Sequence, residues 1–216
     1  MPDHGLDDLD LPQLSSFSGA LEPDGDYDAI DLDGLDLSGQ SAQRARLTQS
    51  RIHGCDLDDV DLRDALLAEC RFDTVHAGTL HLAGATWRDV QLERGRIGSV
   101  QAYAGAMTRV LARDARLDVV NLRAAELTDV HFEGCVIGDL DLGAARARRL
   151  TFAGCRIERL HTFQADLDHV DVSGAEVGAF NDAGDLRGVA VGPVQLAVLA
   201  RAMAEHLGIT VREDAG

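Results

Sequence analysis

From Leu32 to Val177 an apolar residue recurs every five positions without a single insertion. Of the 30 centres in this series 29 are apolar, and only Thr162 is polar. Two residues before each centre the chain is again apolar or Gly, except at Gln40 and Ser50. One residue before, it is mostly polar, as at Asp31, Asp36, Arg51, Asp56, Asp61 and Arg71. An α-helix cannot use this spacing: five residues advance about 500°, so the apolar positions drift about 140° per repeat and form no stripe. A flat strand cannot use it either, because an odd period moves each successive centre to the opposite face. The pattern suits a chain that turns a corner every five residues. The centre and the residue two before it point inward, and the other three point out.

Side-chain size gives the number of corners per turn. Sorted with a period of 20, the residues two before the centres fall into size classes. Ala45, Ala65, Ala85, Gly105, Ala125, Ala145 and Ala165 are all small, while Val60, Leu80, Val100, Val120, Leu140 and Leu160 are all large. A period of 15 mixes Ala45, Val60, Gly105 and Leu150 in one class. Four pentads per turn is therefore favoured, with residues 20 apart stacked at about 4.8 Å. Thirty pentads predict 7.5 coils and a rod about 36 Å long. Gly34, Gly54, Gly134, Gly154 and Gly174 recur at one corner, which predicts positive φ there.

Units such as Ala165-Asp166-Leu167-Asp168-His169 and Val60-Asp61-Leu62-Arg63-Asp64 resemble the A(D/N)LXX repeat of pentapeptide-repeat proteins. The resemblance covers about residues 30–179. It implies an all-β solenoid, a right-handed quadrilateral β-helix, followed here by a C-terminal α-helix. The acidic leader around Leu21-Glu22-Pro23-Asp24-Gly25-Asp26-Tyr27 and the tail from Asp185 through Leu207-Gly208-Ile209 also resemble a group of actinobacterial members.

Both open ends of a solenoid need covering. Residues 1–29 read as an acidic leader, with Leu11 to Leu21 over the N-terminal opening and the first ten or so residues mobile. Residues 180–216 read as a C-terminal segment in which the pentad phase slips by one residue at Asp185-Leu186-Arg187. Pro193 suits the first turn of a helix to about Leu207, with Gly208 as its stop. Leu196, Leu199, Met203 and Leu207 are expected on one face of it, either to cap the coil below or to form a homodimer contact as well.

Catalytic chemistry finds no support. There is no nucleophile elbow, phosphate-cradling Gly loop or His-Glu metalloprotease motif. An uninterrupted solenoid offers no deep pocket, so no enzyme activity, cofactor or metal is expected. Cys55, Cys70, Cys135 and Cys155 all occupy inward positions, where they substitute for small apolar residues. Cys135 and Cys155 should stack on adjacent coils, and as thiols in a reducing compartment. His53, His76, His81, His131, His161 and His169 are expected on the surface. No apolar run reaches membrane-spanning length, and the first residues lack the basic flank of a secretion signal. A cytoplasmic protein is the expectation.

The remaining signal is charge. All 20 basic residues are Arg, against 37 acids, for a formal charge of −17. The leader contributes −8; residues 30–179 hold 24 acids and 17 Arg, giving −7. A chain this acidic does not bind nucleic acid through a phosphate-neutralising surface. Acids crowd the early coils, whereas Arg146, Arg148 and Arg149 form a basic patch, with Arg88 and Arg109 on the same side. Characterised members of the resembled family, of the Qnr and MfpA type, are acidic rods that imitate duplex DNA. They bind type II topoisomerases and protect them from fluoroquinolones. What the resemblance implies is a non-enzymatic DNA mimic acting on DNA gyrase, with Asp56, Asp58, Asp59, Asp61 and Asp64 as the partner-binding face. The alternative is a structural scaffold for another protein, its charge serving solubility.

Overall fold

A computed structural model describes residues 9–181 and 185–210. Its strands are all parallel and form two sheets that climb one solenoid of about eight turns. The first sheet runs β1 (Ser15–Ser16), β3 (Ile30–Asp33), β5 (Arg51–His53), β7 (Leu66–Asp73), β9 (Thr86–Glu93), β11 (Ala106–Arg113), β13 (Glu126–Glu133), β15 (Arg146–Ala153), β17 (Asp166–Asp171) and β19 (Val189–Ala190). Off this path, β2 (Asp26–Asp28) pairs with β4 (Arg46–Thr48), and β4 with β7. The second runs β6 (Val60–Asp61), β8 (His76–His81), β10 (Arg96–Gln101), β12 (Arg116–Asn121), β14 (Val136–Asp141), β16 (Arg156–His161) and β18 (Glu176–Asn181). One helix, α1 (Pro193–His206), closes the chain among the described residues.

The register is the sequence period made visible. Val110 pairs with Val130, Leu117 with Ile137 and Phe132 with Phe152, each 20 residues apart. Only the ends depart: Ser15 pairs with Ile30, and Val170 with Val189, a spacing of 19 that absorbs the one-residue slip near Asp185. Because residues 20 apart stack, every inward column is continuous and dry. Leu62, Leu82 and Leu122 are 3%, 0% and 1% exposed. Burying each such side chain is worth about 1.5–3 kcal/mol.

The polar exceptions in the inward positions sit near the ends, where backbone partners run out. Gln40 Oε1 accepts from Leu21 N at 2.8 Å. The buried Ser50 Oγ accepts from Ile30 N at 3.1 Å and donates to Thr48 O at 2.6 Å. Thr162, fully buried, donates to Asn181 O at 3.4 Å. Each side chain therefore meets a backbone group that a neighbouring coil meets elsewhere.

The corners are less dependent on glycine than the sequence suggests. Gly34, Gly54, Gly134 and Gly154 have φ of 61–63°, as expected, but Gly174 does not adopt positive φ. Nineteen described non-glycine residues, among them Asp59, Arg109 and Ala124, also have positive φ. Seventeen lie two after a pentad centre, and Asp24 and Ala29 keep the same phase before Leu32. The parallel ladder on both sides holds them there against an intrinsic left-handed cost of about 1–2 kcal/mol per residue.

Packing is imperfect at one level. An apolar void of about 40 Å³ lies among Trp87, Leu92, Met107, Ala112, Val120 and Phe132. Ala112 stands there between Leu92 and Phe132 in its column, and the buried Trp87 Nε1 has no hydrogen-bond partner among the described residues. Val120 belongs to a column that holds Leu at positions 80, 140 and 160. Val120→Ile is therefore expected to raise unfolding stability by about 0.8 kcal/mol, the value of one buried methylene, in urea denaturation. A loss of stability would mean the void cannot accept the added carbon.

Candidate interaction surface

Outward residues form ladders too, and these are mostly ionic. Arg44 grips Asp24 through two bonds of 2.7 Å, and Arg51 grips Asp31 at 2.9 and 2.6 Å. Arg109 binds Asp89 and Arg149 binds Asp129 in the same two-bond fashion, and Arg159 binds Asp139. In each case the partners are 20 residues apart, on successive coils, so opposite charges also favour the correct register. The Arg149 and Arg159 guanidiniums hold the Asp129 and Asp139 carboxyls below the ordinary carboxylate range. The expected basic patch is accordingly mostly neutralised, four of its five Arg lying within 4 Å of a carboxylate. Arg109 and Arg149 are paired, Arg146 reaches Glu126 at 3.4 Å, Arg88 reaches Asp89 at 3.9 Å, and Arg148 is exposed.

Pairing is not uniform along the rod. From Asp73 to Asp141, Asp73, Asp89, Glu93, Asp118, Glu126, Asp129, Glu133, Asp139 and Asp141 each lie within 4 Å of an Arg. In the first coils the balance is different. Residues 9–64 hold 13 acids and four Arg, a net −9. Asp33, Asp36, Asp56, Asp58 and Asp64 are exposed and have no ion-pair partner among the described residues.

The five expected partner-binding acids do not form one face. Asp56 and Asp58 lie on one side of the coil and Asp61 on the next, with Asp59 and Asp64 at the positive-φ corners that end them. Three of them carry structural duties. Asp56 Oδ1 accepts from Asp58 N at 3.0 Å, closing its own turn. Asp58 Oδ1 accepts from Gly78 N at 2.7 Å and Thr79 N at 3.0 Å, at the level where this side stops using positive φ. Asp61 is half-buried, accepts from Arg63 at 2.9 and 2.6 Å and from Gln43 at 2.5 Å, and is held far below the usual range, chiefly by Arg63. Asp59 meets His81 Nε2 at 2.7 Å, and Asp64 is the least engaged.

The helix divides its apolar residues. Leu199 is 9% exposed and packs on the last coil, with Val198 and Ala202 partly buried beside it. Leu196, Met203 and Leu207 are 56%, 46% and 67% exposed. The four therefore do not share one face, because α1 lies across β18 on the side of residues 195, 198, 199 and 202. What the sequence did not signal is Gln195. It is buried; its Oε1 accepts from Gly192 N at 2.9 Å, and its Nε2 donates to Ala175 O and, at 3.4 Å, to Ser173 O. Gly208, with φ 71°, reverses the chain after the helix, and Ile209 N donates back to Ala204 O at 2.8 Å.

All four cysteines are buried free thiols. Burial pushes the Cys70 thiol up to about 11, and the hydrogen bond with Cys155, with burial, raises that of Cys135. His131, expected on the surface, is 8% exposed, with Nδ1 2.8 Å from Thr151 Oγ1. No group of three or more His, Cys, Asp or Glu among the described residues is arranged to hold a metal ion. No helix among them is long and apolar enough to cross a membrane.

A family model described as pentapeptide repeats matches residues 30–73 in eight copies. None of the curated proteins matches the chain. Among solved structures, HetL of the cyanobacterium Nostoc, a pentapeptide-repeat protein involved in heterocyst differentiation regulation, is 17% identical. That match covers 81% of this chain and 93% of HetL, with a TM-score of 0.34. A trypsin-treated form of QnrB1, a plasmid-mediated fluoroquinolone resistance protein, is 18% identical over 92% of this chain and 96% of QnrB1, with a TM-score of 0.38.

Proposed function

We propose that this chain, which is a pentapeptide-repeat protein, works as a non-enzymatic protein-binding rod whose acidic first coils enter the DNA-binding groove of a type II topoisomerase such as DNA gyrase. The observation that carries this reading is the contrast in charge pairing. Between Asp73 and Asp141 every carboxylate but Asp114 lies within 4 Å of an Arg on its own or the adjoining coil, whereas Asp33, Asp36, Asp56, Asp58 and Asp64 face solvent without one among the described residues. Unpaired negative charge on a rigid rod attracts a basic groove and steers encounter with it.

The reading is tested by gyrase supercoiling with and without ciprofloxacin. Micromolar protein is expected to inhibit supercoiling or to relieve the drug's effect. Asp59→Asn with Asp64→Asn should weaken the effect more than tenfold, since neither carboxylate is bonded to the rod's backbone. No effect of the wild-type protein at micromolar concentration leaves the rod as a scaffold for another partner.

The rod works as a homodimer joined through the outer stripe of α1, Leu196, Met203 and Leu207, while Leu199 holds the helix to its own coil. Exposed apolar residues at this spacing are better covered than wet. Sedimentation of the wild type should give the dimer mass, and Leu196→Asp with Met203→Asp the monomer mass. A wild-type monomer removes this part of the proposal.

A further inference from the structure

The coil from Gly95 to Ala112 is undersized at four inward positions at once. Gly95 stands in its column between Val75 and Ala115, Ala102 between Leu82 and Leu122, Gly105 between Ala85 and Ala125, and Ala112 between Leu92 and Phe132. Each is smaller than both of its column neighbours. In other coils such a step down occurs singly, as at Ala77 between Leu57 and Ile97, or at Ala147 between Leu127 and Leu167. The surroundings do not close the gap. Leu92 leans over the bare Gly95, its Cδ1 3.1 Å from where a Cβ would stand. A cavity of about 40 Å³ remains even so, bounded by Trp87, Met107, Ala112, Leu117, Val120 and Phe132. It is internal to the rod: none of these six side chains is more than 7% exposed.

The wall of the cavity decides what it can hold. No nitrogen or oxygen of the described residues opens onto it, Trp87 Nε1 included. The volume would admit a water molecule, but a buried water needs several polar partners, and this wall supplies none. The chemistry therefore selects an apolar guest. Size narrows the choice further: a cavity that takes benzene is about 150 Å³.

We infer that this cavity is a binding site for one molecule of a small apolar gas, of the size of dioxygen or xenon. The guest sits among the Trp87 and Phe132 rings and the Met107 thioether, whose polarisable atoms favour it. It restores the dispersion contacts that atoms facing a gap forgo. The site belongs to the middle of the rod, apart from both the acidic first coils and α1, so it stands whether or not the rod binds a topoisomerase.

The test is methyl NMR of the full chain, first under xenon and then under dioxygen. Xenon should shift the methyls of Ala112, Leu117 and Val120 along a saturating curve for a single site, and leave those of Ile157 and Leu160, buried two coils further on, where they were. Dioxygen is paramagnetic and should relax the first set at least fivefold faster than the second. Ala112→Val and Val120→Ile both fill the cavity, and each should cut the xenon shift and the dioxygen excess at Leu117 at least fivefold. Val120→Ile, the smaller change, decides the matter if Ala112→Val melts below the wild type. Met203→Asp should leave both responses unchanged. A xenon shift that stays linear with pressure, an even response along the core, or undiminished binding in Val120→Ile overturns the inference. So does magnetisation transfer from a bound water to the Val120 methyls, which would put water in the site. Gyrase inhibition and dimer mass are read separately, so each proposal can fail alone.

Discussion

Phe152→Ala is expected to cost about 3–5 kcal/mol, the range for deleting a buried aromatic ring, and to split the unfolding transition. Phe152 is 1% exposed and stacks on Phe132 with ring centroids 5.1 Å apart and planes at 10°. The rings occupy successive steps of one inward column, so the deletion opens a void at the level of β15. In a globular core a neighbouring element could relax into it. Here each coil touches only the coils above and below, and the energetics are close to a one-dimensional chain of nearest-neighbour terms. The coils from β15 to α1 should therefore melt at lower urea than those from β2 to β13, with a smaller m value for the first phase because less surface is exposed. Chemical denaturation followed by far-ultraviolet circular dichroism reads both phases. A single transition with the wild-type m value would show that the rod unfolds as one unit and that nearest-neighbour coupling outweighs the defect.

The same one-dimensionality explains why so much of the fold could be read in advance. Every coil repeats the same contacts, so a period visible in the sequence becomes a register in space. The size classes two before each centre gave four corners, because a ladder of small residues from Ala45 to Ala165 requires stacking at 20. The ionic ladders obey the same period, with Asp24 and Arg44, Asp89 and Arg109, and Asp139 and Arg159 each 20 apart, yet Arg109 was expected in a basic patch and not opposite Asp89. What could not be read is whatever breaks the repeat. Nothing in the sequence marks Asp56, Asp58 and Asp61 as carboxylates occupied by their own turns and neighbours, because charged residues are spread over the whole outward surface. Positive φ at Ala124 or Arg109 was hidden as well, since tertiary pairing overrides the local preference that makes glycine a signal. Leu199 parted from Leu196 and Met203 because helical spacing gives a face only to within the width of a stripe, and the coil beneath selects one edge of it.

Gln195→Glu should release the C-terminal cap, and its pH dependence identifies the cause. In the wild type the amide works in both directions. Its oxygen accepts from Gly192 N at 2.9 Å, which satisfies a helix N-terminal donor, and its nitrogen donates to Ala175 O, where a further coil would have supplied a backbone N–H. A carboxylate keeps the first bond and turns the second into repulsion between its oxygen and the Ala175 and Ser173 carbonyls. The loss is about 1–3 kcal/mol for the unmade buried bond, with the uncompensated charge in addition. Gln195→Leu loses the bonds without the charge and should be the milder variant. The charged form of the new carboxyl is disfavoured in the folded state, so its folded pKa is raised above the unfolded value near 4.3. A raised pKa contributes stability that is present below the unfolded value and lost as pH rises through the folded one. Below about pH 4 the protonated group can donate to Ala175 O, and the difference from wild type should shrink. Amide exchange in β18 at pH 7 and pH 4 measures it. A defect of equal size at both pH values would mean that shape, rather than the donor facing Ala175, holds α1 on the rod.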